Sequence, residues 1–497
     1  MRFNPFFPAY FYRSSSIILS RKSKNKHLPV EGIEITAYAA EGKSIGHLPD
    51  GRVVFVEGAV PGDIATLRFS KSKKSFAEAK AIAITTPSRH RVTPFCPHFG
   101  TCGGCKWQML PYEMQAAYKQ QQVTDQLTRI SGIPLPAVRP IIGAEETRYY
   151  RNKLEFTFSA TRYFTAAEIA AAGDAPIIAE PALGFHAPGL FDKVVPIYTC
   201  YLQAEPTNIL LNVLRTYTEA RGLSYYHVRE QQGWLRNVII RVARSGEVMI
   251  NIIFQHDQPE ARTALLDHVL REVPGITTLL YTINGKANDT IYDLPVHTWF
   301  GPGFIHEQLE SFQFKISPKS FFQTNTSQAE RLYQVTREFA GLTGEEVLYD
   351  LYCGTGSIGI FCSGGARKVI GIETVADAIK DAEVNAALNG LTECSFFAGD
   401  VVKICTDDFF AEHGRPDVII TDPPRAGMHA DLVETLLRIR APRIVYVSCN
   451  PTTQARNLAL LHDAYDVKAL QPVDMFPHTH HIENVALLEL RKDAEAV

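Results

Sequence analysis

Cys449 lies in Val447-Ser-Cys-Asn-Pro451, after a short apolar run and before a polar turn. A thiol at the carboxyl end of a strand, on the edge of a crevice, is where a doubly wound sheet presents a reactive group. Most single cysteines are inert core fillers, and Cys353, Cys362, Cys394 and Cys405 read that way. The chemistry open to Cys449 is covalent: a thiolate adds to an electron-poor carbon, and a base later takes a proton so that the thiol can leave. A free thiol ionises near ~8.5, so this one needs help from its surroundings. The carboxylate available as base is Glu483, in His478-Thr-His-His-Ile-Glu-Asn484, ahead of the apolar run VALLEL. The histidines could instead be read as metal ligands, but no carboxylate or cysteine around them has a clear ligand spacing.

A second constellation is Asp350-Leu-Tyr-Cys-Gly-Thr-Gly-Ser-Ile-Gly359. Glycines that follow a strand let the backbone approach a bound nucleotide closely. Gly354, Gly356 and Gly359 satisfy G-x-G-x-x-G, which is weak evidence for a dinucleotide. Glu373 ends the next apolar run, where a ribose needs an acceptor. Two features favour S-adenosylmethionine over a nicotinamide. Asp350 precedes the loop and suits a cationic, amino-acid-bearing ligand, and the turn Asp422-Pro-Pro-Arg425 suits methyl transfer.

The third is Cys96-Pro-His-Phe-Gly-Thr-Cys102-Gly-Gly-Cys105, with Cys200 as a possible fourth ligand. Zinc and a [4Fe–4S] cluster both accept four thiolates. The spacing is not that of the ferredoxin runs, so the chemistry leaves the two near even. Nor is it the spacing of radical enzymes.

These groups need scaffolds. VLYDLY, KVIGIE, DVIITD and RIVYVS are short apolar strands separated by helix-length stretches, the rhythm of a doubly wound α/β domain with a mainly parallel sheet. Upstream, residues 145–310 alternate strands and helices, among them WLRNVIIRVAR and EVMINIIF, and read as a central α+β domain. Ala166–Ala175 is a local alanine-rich insertion, and residues 111–130, rich in Gln, Lys and Tyr, form a helix. From Val30 to Ser88 the pattern is short alternating strands, with Gly42, Gly46, Gly51, Gly58 and Gly62 at the turns. A small barrel of this kind often serves as an oligonucleotide platform. Arg68, Lys71, Lys73, Lys74 and Lys80 against a single Glu78 could meet phosphates there. The expected division is therefore a basic tail at 1–28, a barrel at 29–88, a cysteine-bearing central domain at 89–310 and a Rossmann-like domain at 311–497.

Bulk composition adds bounds. The 497 residues exceed one ordinary domain, and 45% hydrophobic with 21% charged is a globular composition. No apolar run is long enough to cross a bilayer. Nine cysteines, unevenly spread, are too few for a secreted disulfide scaffold and suggest a reducing compartment, the cytoplasm. The net charge of −3 says little about partners. Residues 1–28 carry six basic residues and no acid, which reads as a disordered tail or an upstream extension rather than a transit peptide.

Asp350 to Gly356, Asp-Pro-Pro-Arg, Ser-Cys-Asn-Pro and Asp474-Met-Phe-Pro-His-Thr-His-His-Ile-Glu483 together resemble the RNA uracil-5-methyltransferases, of the type acting on 23S ribosomal RNA. The resemblance spans roughly residues 30–490. Ser320-Phe-Phe-Gln-Thr-Asn325 matches that family's F-Q-x-N motif. It implies that Gln323, Tyr352, Glu373 and Asp422 bind S-adenosylmethionine or border the base. Cys449 would be the nucleophile toward uracil C6 and Glu483 the acceptor of the C5 proton. It further implies a TRAM-like RNA-binding barrel and a [4Fe–4S] cluster on Cys96, Cys102, Cys105 and Cys200, with zinc the lesser reading. Cytosine-5 relatives carry a cysteine just after the Asp-Pro-Pro turn, where this chain has Arg425, so uracil is the expected base. The departures are the basic tail, the alanine-rich insertion and Ser357, where relatives often have Asn. The expected partner is 23S ribosomal RNA, bound by a monomer with no membrane. Transfer RNA methylation is the nearest alternative, disfavoured because such relatives generally lack barrel and cysteines. A non-catalytic RNA-binding assembly factor and a nicotinamide oxidoreductase are more distant.

Overall fold

The computed structural model describes residues 28–492. The basic tail expected at 1–28 falls almost wholly outside them.

The first unit is a closed five-stranded barrel of Val30–Tyr38, Ser44–His47, Val53–Glu57, Phe76–Thr86 and Ile64–Ser72, in that spatial order. Alternation puts Val54, Val56, Ala65, Leu67, Ala77 and Ala79 inside, all at most 3% exposed. Gly42, Gly51, Gly58 and Gly62 take the positive φ of turns. Gly46 does not: it lies within a strand, where a Cβ would fall 2.9 Å from the Glu34 carbonyl. Its role is close approach, not turning. Arg68, Lys71, Lys73, Lys74 and Lys80 are exposed on the barrel, and Glu78 neutralises part of the patch by pairing with Lys43 at 3.0 Å and Lys71 at 3.3 Å.

The helix Tyr112–Ser131 follows the cysteine segment. The central sheet has seven strands, Val296–Phe300, Ile276–Ile283, Val248–Phe254, Leu235–Val242, Lys153–Ser159, Ala182–His186 and Val194–Pro196 across its width. The helices Thr207–Ala220 and Pro259–Glu272 accompany it. The alanine-rich segment is a short helix, Ala166–Ala172, closed by a Thr165/Glu168 capping box and burying no residue.

The last unit holds a seven-stranded sheet ordered Cys394–Ala398, Lys368–Glu373, Val347–Leu351, Val418–Thr421, Arg443–Ser448, Glu483–Leu490 and Tyr465–Val473. The first five are parallel, and the last two form an antiparallel hairpin inserted with Glu483–Leu490 against Arg443–Ser448. Val347–Leu351 and Val418–Thr421 are buried at every residue, which is why they read as unbroken apolar runs. The chain is thus an α/β protein with a mainly parallel C-terminal sheet and an N-terminal barrel. Among the described residues no helix is long and apolar enough to cross a membrane.

Candidate active site

Two strand ends bring Cys449 and Glu483 together. Ser448 is the register partner of Asn484 in the antiparallel pair. Cys449 is one residue beyond Ser448 and Glu483 one residue before Asn484, so the end of this ladder brings the two residues near each other, close enough for the Glu483 charge to act on the thiol. Asp422 follows Thr421, which pairs with Tyr446 in the neighbouring parallel strand, so it opens onto the same carboxyl-terminal edge. Asn450 then caps the helix Pro451–Leu461. Its Oδ1 accepts from Thr452 N–H at 3.1 Å, and its Nδ2 donates to the Arg425 carbonyl at 3.1 Å. The Asn-Pro signature is a helix start, with proline where an N–H is not needed, and here it also ties the cysteine turn to the Asp422–Arg425 turn.

The electrostatics of this corner run against ionisation. Desolvation, then the charges of Glu483 and Asp422, push the Cys449 thiol up to about 11, while Arg425 and a backbone hydrogen bond act downward. Desolvation and Asp422 raise the Glu483 carboxyl well above its usual range, again opposed by Arg425. Asp422 is raised to about 7 by desolvation. The expected help from a charged neighbour comes from Arg425, an exposed residue whose Nη2 lies 3.2 Å from His481 Nδ1. Burial thus favours the neutral form of both the thiol and the carboxyl.

The glycine loop borders the same edge. Gly354 (φ 53°), Gly356 (φ 77°) and the non-glycine Tyr352 (φ 62°) lie in the left-handed region. A Cβ on Gly356 would fall 3.0 Å from the Phe396 ring, so only glycine fits. Glu373 Oε2 accepts from Gly354 N–H at 3.3 Å, and Oε1 accepts from Val375 N–H at 2.9 Å, so the strand-end acid shapes the loop. Asp350 is wholly buried beneath it, and its Oδ2 accepts from Gly359 N–H at 2.8 Å. Its Oδ1 has no partner, and desolvation first, with the Asp422 and Glu373 charges behind it, raises the carboxyl to about 7. An unpartnered buried carboxylate oxygen under a glycine cradle fits a ligand that carries a cationic group. Gln323 is buried, and its carbonyl accepts from Asn152 Nδ2 at 2.9 Å. Thr355 Oγ1 donates to the Phe321 carbonyl at 3.5 Å, joining that segment to the glycine loop.

The remaining sequence candidates form a separate site. Cys96, Cys102, Cys105 and Cys200 line one small cavity walled by Phe185, Ile197 and Leu202. None forms a disulfide. Burial pushes Cys102 up to about 11, and Cys105 and Cys200 up to about 12, each raised further by the other thiols. A Cβ on Gly104 would sit 3.6 Å from Cys102 Sγ, filling space beside the thiol. Four convergent thiols in an apolar pocket fit a cationic cluster that would reverse those shifts. Even so, among the described residues no group of three or more His, Cys, Asp or Glu is arranged to hold a single metal ion. The histidine-rich segment is not such a group either; burial drives His478 and His480 down to about 4 and His481 to about 3, so all three stay neutral.

Sequence reasoning missed what holds the loop that joins Val473 to Glu483. Lys119 donates to Asp474 Oδ1 at 2.6 Å and to the Phe476 carbonyl at 3.0 Å. Tyr112 Oη donates to Asp474 Oδ2 at 3.0 Å. Gln115 accepts from His478 N–H at 2.8 Å and meets its Nδ1 at 3.1 Å. The backbone N–H groups of Lys106 and Trp107 both donate to the His478 carbonyl, at 2.8 and 3.1 Å. The barrel closes on the same loop, where a Cβ on Gly42 would lie 3.1 Å from His480 Cβ. Trp107 packs on Tyr38, ring centroids 5.1 Å apart, and its Nε1 donates to the Gly42 carbonyl at 3.5 Å.

Known proteins resemble this chain. Residues 300–491 match the family model described as tRNA (uracil-5-)-methyltransferase, and residues 30–82 match the TRAM domain. A protein from Bacteroides thetaiotaomicron described as an uncharacterized RNA methyltransferase is 52% identical over 456 residues, 91% of this chain and 100% of its own. One from Chlorobaculum tepidum, described likewise, is 42% identical over 92% of this chain and 95% of its own. The crystal structure of Pyrococcus abyssi tRNA (uracil-54, C5)-methyltransferase in complex with S-adenosyl-L-homocysteine superposes with a TM-score of 0.70 at 26% identity, covering 92% of this chain and 100% of that one. With these relatives along nearly its whole length, the chain belongs to the S-adenosylmethionine-dependent RNA uracil-5-methyltransferases, as a member bearing a TRAM barrel.

Proposed function

We propose that the enzyme methylates C5 of a uridine in 23S ribosomal RNA through a covalent bond from Cys449 to C6. The observation that carries the mechanism is the strand register that brings Cys449 near Glu483. Cys449, as thiolate, adds to C6 and moves the C5–C6 electron pair into an enolate, making C5 nucleophilic. Arg425, the cation bearing on the thiol, favours that ionisation. S-adenosylmethionine, held by Gln323, Tyr352, Glu373 and Asp422, supplies the electrophilic methyl group when bound. Glu483, ionised at that stage, takes the C5 proton; the C5–C6 double bond re-forms and the Cys449 sulfur leaves as thiolate. The uridine is flipped out of its RNA fold, because C5 and C6 must be reached from opposite faces. The exposed lysines of the barrel contribute phosphate contacts.

A second reading, transfer RNA as substrate, is favoured by the Pyrococcus abyssi enzyme, whose likeness covers 92% of this chain. A match of that length takes in most of the barrel, so the barrel by itself does not disfavour transfer RNA. Incubation with methyl-labelled S-adenosylmethionine and unmodified transcripts separates the two. We expect label as 5-methyluridine in one 23S fragment. Label in transfer RNA alone would replace the substrate, and label in neither would leave a non-catalytic RNA-binding role.

The four cysteines are proposed to hold a [4Fe–4S] cluster that ties the loop 96–105 to Cys200, in a monomeric cytoplasmic protein. Protein purified without oxygen is expected to carry about four iron and four sulfide per chain, lost in Cys200→Ser. One zinc per chain and no sulfide, about a single equivalent, would overturn this.

A further inference from the structure

Val473 is the register partner of Glu483, so the nine-residue loop 474–482 begins and ends at the carboxylate near Cys449. A hairpin end of that length is free to fray unless something outside it fixes its ends. The outside groups are those of the helix Tyr112–Ser131. Lys119 is wholly buried, 355 residues from its partner Asp474, which is also wholly buried. A cation and an anion removed from water persist only when paired and hydrogen-bonded. Here the ammonium spans two loop positions, the Asp474 carboxylate and the Phe476 carbonyl. Asp474 in turn accepts from Phe476 N–H at 2.9 Å, so one side chain fixes the first three loop residues as a unit. Gln115, one helical turn earlier and equally buried, fixes His478 at the crest of the loop, where the backbone takes φ 64°. Neither Lys119 nor Gln115 has been placed among the groups that touch substrate or cofactor.

We infer that Lys119 is a positioning residue for methyl transfer, holding Glu483 in reach of the C5 proton through Asp474 and the Phe476 carbonyl. The inference rests on Glu483 being the proton acceptor. Its signature is step-specific. Attack of Cys449 on C6 and methyl transfer need the cysteine turn and the glycine loop, neither of which Lys119 touches. Removal of the C5 proton needs Glu483, so a displaced Glu483 leaves the methylated RNA bound to Cys449.

The test uses full-length Lys119→Met on whichever unmodified transcript, 23S or transfer RNA, the wild-type enzyme labels. A second substrate is the same transcript containing 5-fluorouridine, which has no C5 proton to remove. On the uridine transcript we expect turnover to fall about 100-fold, the scale of an ångström-size misplacement, with covalent protein–RNA adduct accumulating. On the fluorinated transcript the adduct is expected at the wild-type rate. Equal losses on both transcripts, or unchanged turnover, would overturn the proposal. Because an unpaired buried Asp474 endangers folding, the charge-free pair Lys119→Met/Asp474→Asn is measured alongside. Failure of both variants to bind S-adenosylmethionine would assign Lys119 a purely structural role and also overturn it. Glu483→Gln is the control. If it accumulates adduct and the Lys119 variants do not, only this inference fails. If it accumulates none, the proton-acceptor reading fails and takes this inference with it.

Discussion

Cys449→Ala is expected to reduce methyl transfer by about 10⁴-fold or more, to background, because removal of a covalent nucleophile leaves only binding and orientation. No covalent adduct should form with either uridine or 5-fluorouridine RNA. Binding of S-adenosylmethionine should be unchanged, since the glycine loop is built by Asp350, Glu373 and the left-handed glycines without Cys449. Calorimetric titration of the cofactor and label transfer to RNA together check this. A Cys449→Ala enzyme that still turns over would refute the covalent route. Lost cofactor binding would instead move Cys449 into the structure of the loop.

Glu483→Gln preserves size and removes one negative charge. Turnover should fall about 10²–10⁴-fold, the usual contribution of a positioned general base. Because the earlier steps survive, the methylated adduct should accumulate and be visible as a protein–RNA band resistant to denaturant. The substitution also changes the thiol. Burial and the Glu483 charge hold Cys449 up to about 11, so in the wild-type enzyme the thiolate fraction climbs with pH through the neutral range. Below its pKa that climb is about tenfold per pH unit. With glutamine the raising charge is gone, the thiol pKa drops, and adduct formation on 5-fluorouridine RNA should shift to lower pH. A pH profile that does not move would show that the carboxylate does not reach the thiol electrostatically.

The parallel strands were legible because both faces are covered. Val347–Leu351 and Val418–Thr421 are buried at every position, so they show as apolar runs ending in chemistry-bearing turns. Cys449 and Asp422 were legible as residues following such runs, and Glu483 as the acid opening the last one. Their mutual placement was not, because it depends on a hairpin inserted antiparallel beside the fifth strand, which no local pattern announces. Lys119 and Gln115 were illegible for a sharper reason. They occur in a helix whose Gln, Lys and Tyr composition marks no apolar face at their positions, yet both are fully buried. Polar side chains go inside only when partners await them, and the partners lie more than 350 residues away. The basic run at 68–80, read as able to meet phosphates, is exposed, but Glu78 pairs with a lysine outside it, Lys43, which spacing alone does not reveal.

The packing of the barrel turn on the base-bearing loop has a geometric meaning for RNA. Gly42 against His480, with Trp107 beside Tyr38, ties the barrel to this loop. A barrel on a flexible tether would tolerate any spacing between the stretch of RNA that it grips and the nucleotide presented to Cys449. A barrel tied to this loop would instead act as a caliper: an RNA gripped by both would have to span the distance from barrel face to thiol in its folded shape.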